Sequence, residues 1–210
     1  MISVLLFAAA ATGNFLPPKF TADDASRMQE AYRENSSIAV LIDAKVDPKG
    51  RVTDCKAQPE AGNKDAAAGI CSQAERLKVQ PASVAGGSAY GALRTMARFV
   101  VASDSAGDKV RTVQQPADME LQVNKLPAGQ STLRIVANVL IDDTGKPEAC
   151  YAAAANDAPK AYGDVACTQI SPVTFGVLKD DNGKPVRYVR EVVLDFTTSP
   201  SPDRAPASDR

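Results

Sequence analysis

The chain has 210 residues, 44% of them hydrophobic, which is enough to bury a core as one large domain or two small ones. Its formal net charge of −1 argues against a nucleic-acid-binding protein, because such proteins present a clustered basic face. The chain contains no histidine, which excludes most Ser-His and Cys-His nucleophile systems and most zinc sites.

The N-terminus carries a short apolar run that ends in small residues. Residues 2–11 are small or apolar apart from Ser3, and no Lys or Arg precedes them. The run is shorter than the roughly 20 residues that a membrane-spanning helix needs. Residues 1–16 are therefore predicted to be a signal peptide, cleaved between Ala10 and Leu16, so we expect export and no membrane association afterwards. A buried N-terminal strand or helix is the alternative interpretation.

The first half of the chain predicts a helix, a β-hairpin, a second helix and a last strand. The first helix is placed at residues 21–35, with Thr21 as its N-cap. The hairpin is centred on residues 47–50 (DPKG), because Asp, Pro and Gly favour a reversal of the chain. An alanine-rich helix over residues 62–77 and a strand over residues 92–102 complete the unit.

The same unit is present a second time. Gly50 corresponds to Gly145 and Cys55 to Cys150, and in both pairs the second residue lies 95 positions later. Each copy has an apolar run, a turn ending in Gly, a short second run, a Cys, an Ala-rich segment and another Cys. Such a repeat decides the architecture. The sequence therefore predicts an α+β protein of two tandem small domains, each a β-hairpin, a helix and a third antiparallel strand.

Domain boundaries follow from composition. The first copy with its leading helix covers residues 21–102, and the second covers residues 117–198. Residues 103–116 are polar and are predicted to be a linker, followed by a short helical stretch at residues 118–125. Residues 199–210 are rich in Pro, Ser, Ala and charge, which is typical of a disordered tail.

Four cysteines occupy equivalent positions, two in each copy. A metal site is disfavoured, because it would need short Cys-x-x-Cys pairs or a histidine partner. We therefore predict the disulfides Cys55–Cys71 and Cys150–Cys167, whose partners are 16 and 17 positions apart. Disulfides of this kind stabilise small exported domains. Buried free thiols in a cytosolic protein are the alternative.

Two sets of motifs suggest a family. Residues 46–54 (VDPKGRVTD) form a Val-Asp-x-x-Gly-x-Val-x-Asp hairpin, and residues 80–82 (QPA) place Pro-Ala after the helix. Residues 141–147 (IDDTGKP) repeat the hairpin, and residues 182–186 (NGKPV) lead into the last strand. On these motifs, each copy resembles the C-terminal domain of TonB, the periplasmic part of a bacterial energy transducer. The resemblance covers most of residues 37–198, and cysteine pairs at these positions are similar to those of some members.

The resemblance implies a periplasmic, non-catalytic module that binds a protein or an extended peptide, such as a segment of an outer-membrane receptor. In that family the last strand receives the peptide by edge-strand addition. Here the equivalent strand, which carries an apolar face and no internal proline, has the expected binding residues Val186, Tyr188, Val189, Arg190, Val192, Leu194 and Phe196. No cofactor, metal or nucleic acid is expected.

Two other functions stay open. A TonB-type energy transducer for outer-membrane transport is one, although the chain departs from it in having neither a spanning N-terminal helix nor a long Pro-rich linker. A purely structural periplasmic protein, whose copies cover each other's edges, is the other. An enzyme is not expected, because no nucleophile can be matched with a base. The acidic pairs at residues 142–143 and 180–181 precede Gly in predicted turns and are expected to be solvated rather than to bind calcium.

Overall fold

The protein is described from a computed structural model, which covers residues 14–32, 34–127, 129–152 and 159–198. Most of the predicted signal peptide and all of the predicted tail lie outside the described residues. The strands are β1 (Phe15–Leu16), β2 (Ile38–Val46), β3 (Val52–Gly62), β4 (Ala82–Val84), β5 (Gly87–Phe99), β6 (Met119–Gln122), β7 (Thr132–Ile141), β8 (Pro147–Ala152) and β9 (Tyr188–Thr197). The helices are α1 (Ala22–Ala31), α2 (Ala67–Ala74), α3 (Gly107–Thr112) and α4 (Lys160–Ile170), and a 3-10 turn at Lys64–Ala66 leads into α2.

The predicted fold class, two tandem α+β domains, is wrong. In the described residues, nine strands form one curled mixed sheet, accompanied by only four short helices. The sheet runs β1-β4-β5-β9-β7-β8, with the β2-β3 pair attached to β5 and β6 attached to β9. The two copies are joined because β9 pairs in parallel with β5, Tyr188 to Arg190 alongside Tyr90 to Ala92. Apolar alternation predicts which face of a strand is buried, but it does not predict which other strand pairs with it. The sequence therefore did not reveal the pairing of β9 with β5.

The two copies nevertheless have equivalent local structures. Each contributes an antiparallel three-stranded part of the sheet, β3-β2-β5 from the first and β8-β7-β9 from the second. Gly50 and Gly145 end the two hairpin turns with positive φ, +81° and +87°. The carbonyl of Gly50 accepts a hydrogen bond from the N–H of Val79 at 3.0 Å, and that of Gly145 accepts one from Phe175 at 2.8 Å. The repeat therefore extends to individual hydrogen bonds between each hairpin turn and the segment after the helix.

Helix α1 begins where the sequence predicts it. The hydroxyl of Thr21 accepts a hydrogen bond from the N–H of Asp24 at 3.2 Å, and the Asp24 carboxylate accepts one from the N–H of Thr21 at 2.9 Å. This reciprocal capping box satisfies two backbone donors that the first turn would otherwise leave unpaired. Met28 and Tyr32 are buried, and the Tyr32 ring stacks on Phe99 at 4.7 Å between centroids. The helix thus closes one end of the first core.

The interior consists of two large apolar clusters and a small one between them. The first surrounds α2 and β2 and includes Ile38, Ile42 and Ile70. The second surrounds α4, β7 and β9 and includes Ile135 and Phe196. The third consists of Phe15, Ala82, Leu140 and Val189, which come from both copies and from the N-terminal strand. Burial across this small cluster therefore helps to hold the two halves together.

The segment between the copies differs from its predicted structure. The predicted helix at residues 118–125 is wrong, because Met119–Gln122 form β6, which pairs in parallel with β9. Met119 and Leu121 are half-buried while Glu120 and Gln122 are exposed, a two-residue period that suits a strand. The predicted linker, residues 103–116, contains α3, whose Val110 is fully buried.

The outer strands of the two hairpins are β3 and β8. Among the described residues, β3 pairs only with β2, and β8 pairs only with β7. Pro59 lies in β3 and Pro147 begins β8, and each strand has an irregular register with its partner. Both strands are therefore edges of the sheet.

Candidate functional site

Both predicted disulfides are present. Cys55 in β3 bonds to Cys71 in α2, and Cys150 in β8 bonds to Cys167 in α4. These bonds account for all four cysteines of the chain. Each bond ties an outer hairpin strand to the helix that follows it.

The predicted open edge at the last strand is wrong. Strand β9 pairs with β7 over its whole length, from Tyr188 to Thr197. On its other side it pairs with β5 at residues 188–190 and with β6 at residues 194–197. Val186 precedes the strand, and its N–H donates to the carbonyl of Leu178 at 2.9 Å. No stretch of the β9 backbone is therefore open to a peptide unless β5, β6 or β7 moves away.

The side chains of the predicted binding strand are buried rather than displayed. Those expected on one face, Tyr188, Val192, Leu194 and Phe196, belong to the second apolar cluster. Val189, on the opposite face, is also fully buried, in the small cluster between the halves. Both faces are covered, one by the second apolar cluster and the other by the small cluster that contains Phe15. Five of the seven predicted residues are thus part of the core, while Val186 and Arg190 are half-buried.

A network of charged side chains closes the gap where β5 and β9 diverge. Asp118 accepts a hydrogen bond from Arg190 at 3.0 Å and from the N–H of Val193 at 2.8 Å, and it lies 3.2 Å from the Nε of Arg94. Arg94 also binds both carboxylate oxygens of Asp43 on β2 at 2.9 Å. Asp118 therefore links the two halves through their last strands.

Glu191 lies beside this network with its carboxyl group largely removed from water. Burial raises the pKa of Glu191 above its ordinary value, and the nearby Asp118 carboxylate raises it further. Burial of a carboxyl group disfavours its charged form. The Glu191 carboxylate therefore opposes folding when it is ionised.

A cleft of about 590 Å³ lies between the two halves. One wall comes from β2, β3 and β5, and the other from residues 176–180 and the start of β9. Clefts between two halves of a fold are common binding sites. The charged residues of its lining are Asp43, Lys45, Asp54, Lys56, Arg94, Lys179, Asp180 and Arg190. Five of these are cationic and three are carboxylates. Arg94 and Arg190 are paired with Asp118, and Lys45 is paired with two carboxylates. Among the described residues, the unpaired positive charges of the lining are therefore those of Lys56 and Lys179.

Lys45 stands in the middle of the cleft. Its side chain is only 10% exposed, and its ammonium group donates to the carbonyl oxygen of Lys179 at 3.2 Å. The nearest carboxylates, Asp54 and Asp181, are each 3.5 Å away. Lys56 and Lys179 are exposed and form no ion pair within the described residues. Lys56 and Lys179 are therefore available for an anionic group, whereas Lys45 already has partners.

Sequence reasoning missed this cleft, although one signal was present. Lys45 lies inside the strand IAVLIDAKV, where all its neighbours except Asp43 are apolar. A charged residue within an apolar strand is unusual, since burying a charge without a partner is costly. That pattern predicts a special environment for Lys45 but not the segment that forms the opposite wall.

The chain supplies its own example of strand addition. Residues 14–19, here termed the N-terminal arm, run antiparallel to residues 80–85. Lys19 and Gln80 exchange backbone hydrogen bonds of 3.1 and 3.2 Å, and the N–H of Ala85 donates to Asn14 at 2.7 Å. Phe15 is buried between the two halves. An extended, proline-containing segment is thus held mainly through its backbone and one aromatic side chain.

Comparison with known proteins identifies no relative. No protein-family model matches the chain, and neither does a curated protein or a solved structure. Among the described residues, no group of three or more Asp, Glu, Cys or His side chains is arranged to hold a metal ion. Within the same part of the chain, none of the helices has the length and apolarity that a bilayer crossing needs.

Proposed function

We propose that this protein is an exported, non-catalytic module that binds an acidic polypeptide segment of a partner protein in the cleft between its halves. The observation that carries the proposal is the presence of two exposed lysines without an ion pair in the described residues, Lys56 and Lys179, in a cleft of about 590 Å³. Two disulfides support an oxidising compartment such as the periplasm. The resemblance to TonB C-terminal domains supports a polypeptide ligand, for example a segment of an outer-membrane receptor.

The lining favours a peptide over a small polar ligand. Val177 is 44% exposed at the cleft, and Leu178 and Tyr188 add apolar surface between the charged groups. The apolar side chains of Val177 and Leu178 therefore lie next to the charged side chains of Lys179 and Asp180 on the same wall. A wall that offers both apolar and charged groups suits the side chains of an extended chain.

Site-specific photo-crosslinking tests the proposal. A photoreactive residue at position 177 should link the exported protein to a polypeptide of the cell envelope, and the linked segment should contain Asp or Glu. Position 165, on α4, is the matched control, because Val165 is also 44% exposed but does not line the cleft. Lys56→Glu should abolish the link by reversing one of the unpaired positive charges.

Two results would contradict the proposal. One is equal crosslinking at positions 177 and 165, which would indicate collisions rather than a site. The other is a link at position 177 that persists unchanged in Lys56→Glu, since the charge of the cleft would then be irrelevant.

A further inference from the structure

The second copy contains an equivalent of the strand that holds the N-terminal arm. Val79 donates to the carbonyl of Gly50, and Phe175 donates to the equivalent carbonyl of Gly145, so Val79 corresponds to Phe175. Gln80 therefore corresponds to Gly176, Pro81 to Val177 and Ser83 to Lys179. In the first copy this segment is covered by the arm. In the second copy it lines the cleft, and no described strand lies beside it on that side.

Two side chains occupy the hydrogen-bonding positions that the arm fills in the first copy. The carbonyl of Gln80 accepts from the N–H of Lys19, whereas the carbonyl of Gly176 accepts from the hydroxyl of Tyr188 at 2.7 Å. The carbonyl of Lys179, like that of Gly176, faces the cleft, where it accepts from Lys45 at 3.2 Å. In the first copy the N–H of Gln80 donates to the carbonyl of Lys19 on this same side, so the N–H of Gly176, its equivalent, is the donor expected to face the cleft.

We infer that an acidic, extended segment of a partner polypeptide adds antiparallel to residues 176–180, in the position that the N-terminal arm occupies on residues 80–85. Its backbone N–H groups replace Tyr188 and Lys45 at the two carbonyls, and its backbone carbonyl accepts from Gly176. Lys45, once released, pairs with a carboxylate of the incoming segment, with Lys56 and Lys179 nearby. This inference rests on the proposed function and specifies how the cleft holds its ligand.

Three soluble peptides separate the inference from the proposed function. The first alternates valine and glutamate, the second alternates valine and lysine, and the third is the glutamate peptide with every second backbone nitrogen methylated. We expect the glutamate peptide to bind the full exported chain, the lysine peptide to bind at least tenfold more weakly, and methylation to weaken binding at least tenfold. Fluorescence anisotropy with labelled peptides measures all three.

Two proline variants provide a matched pair on the protein. Gly176→Pro removes the N–H that the inference pairs with the incoming strand, and a side chain fits there because a Cβ at Gly176 would meet no atom within 4 Å. Thr174→Pro is the control, because Thr174 is exposed, lies two residues earlier and does not line the cleft. We expect Gly176→Pro to bind the glutamate peptide roughly fivefold more weakly, the effect of one lost hydrogen bond. Thr174→Pro should bind like the original chain.

The outcomes are distinguishable. If the methylated peptide and the plain glutamate peptide bind equally, strand addition is wrong, while charge-directed binding in the cleft stands. If Gly176→Pro fails to fold, the methylated peptide still decides the question. If neither acidic peptide binds the original chain, both the inference and the proposed function are refuted.

Discussion

Replacing Gly50 with alanine should destabilise the fold far more than the same change at Gly183. Both glycines end an Asp-x-x-Gly turn and both have positive φ, +81° and +78°. A Cβ at Gly50 would lie 2.2 Å from the carbonyl oxygen of Val79, whereas at Gly183 it would meet no atom within 4 Å. The pair therefore separates the strain of positive φ from the close approach of a second backbone segment.

The magnitudes follow from these contacts. Positive φ costs alanine about 1–2 kcal/mol at either position. At Gly50 the clash also breaks the hydrogen bond of 3.0 Å from the buried Val79 to the carbonyl of Gly50. Leaving such buried groups unpaired adds about 1–3 kcal/mol. We expect a loss of about 2–5 kcal/mol for Gly50→Ala and about 1–2 kcal/mol for Gly183→Ala.

Urea unfolding followed by circular dichroism measures both losses, with the disulfides kept intact. The m-value should stay constant, so that a shift of the midpoint reports a change in stability alone. Gly145→Ala serves as a replicate, because its Cβ would lie 2.3 Å from the carbonyl oxygen of Phe175. Equal losses for Gly50→Ala and Gly183→Ala would show that the turn does not closely approach the segment after the helix.

Three further predictions concern charge, disulfides and processing. Because burial raises the pKa of Glu191, its contribution to stability is present at low pH and is lost as the pH rises through its folded-state pKa. Glu191→Gln should therefore raise the melting temperature at pH 8 but not at pH 4, and an equal gain at both pH values would contradict this. Replacing both Cys55 and Cys71 with serine should cost about 3 kcal/mol in chemical unfolding, the value expected for a loop of this length. A loss below about 1 kcal/mol would refute that account. Phe15 is buried in β1, so a signal peptidase should cleave before it. N-terminal sequencing of the protein from its native host checks this, and a mature chain that begins after Phe15 would contradict the structure.

Sequence reasoning succeeded where the determinants are local. The turn at residues 142–145 contains Asp142, whose carboxylate accepts from the N–H groups of Thr144 and Lys146 at 2.8 and 2.9 Å. Such a turn is encoded in five consecutive residues and is recognisable without its surroundings. Strand β7, residues 132–141, carries a long apolar alternation, which is the local pattern that predicts a strand. The disulfides were predictable because the repeat placed equivalent cysteines in register.

Sequence reasoning failed where segments that are distant in the chain pack together. The parallel pairing of β9 with β5 joins residues nearly a hundred positions apart, and only their tertiary placement determines it. The burial of Phe15 between the two halves is also determined only by tertiary placement, because Phe15 lies at the end of a segment whose composition predicts a signal peptide. A strand with one apolar face and one mixed face suggests an exposed edge, but in β9 the mixed face packs against Asp118 and the N-terminal strand.

The candidate site was hidden for the same reason. Its walls come from β2 and from residues 176–180, which lie together because β9 pairs with β5 and because the turns of the two halves contact each other. At that contact between the turns, Arg51 of the first hairpin donates to Asp181 at 2.8 Å. The lysines of the cleft are individually ordinary, and only the folded chain shows that they share one cavity.

The disulfides have a consequence for self-association. Unprotected edge strands recruit copies of themselves and seed aggregation. Each of the outer strands, β3 and β8, carries one end of a disulfide and one proline. Each bond anchors its outer strand to the helix that follows it, so the strand is not free to shift into register with an identical strand. Reduction releases both strands at once, so the reduced protein should form aggregates that the oxidised protein resists, detectable by light scattering.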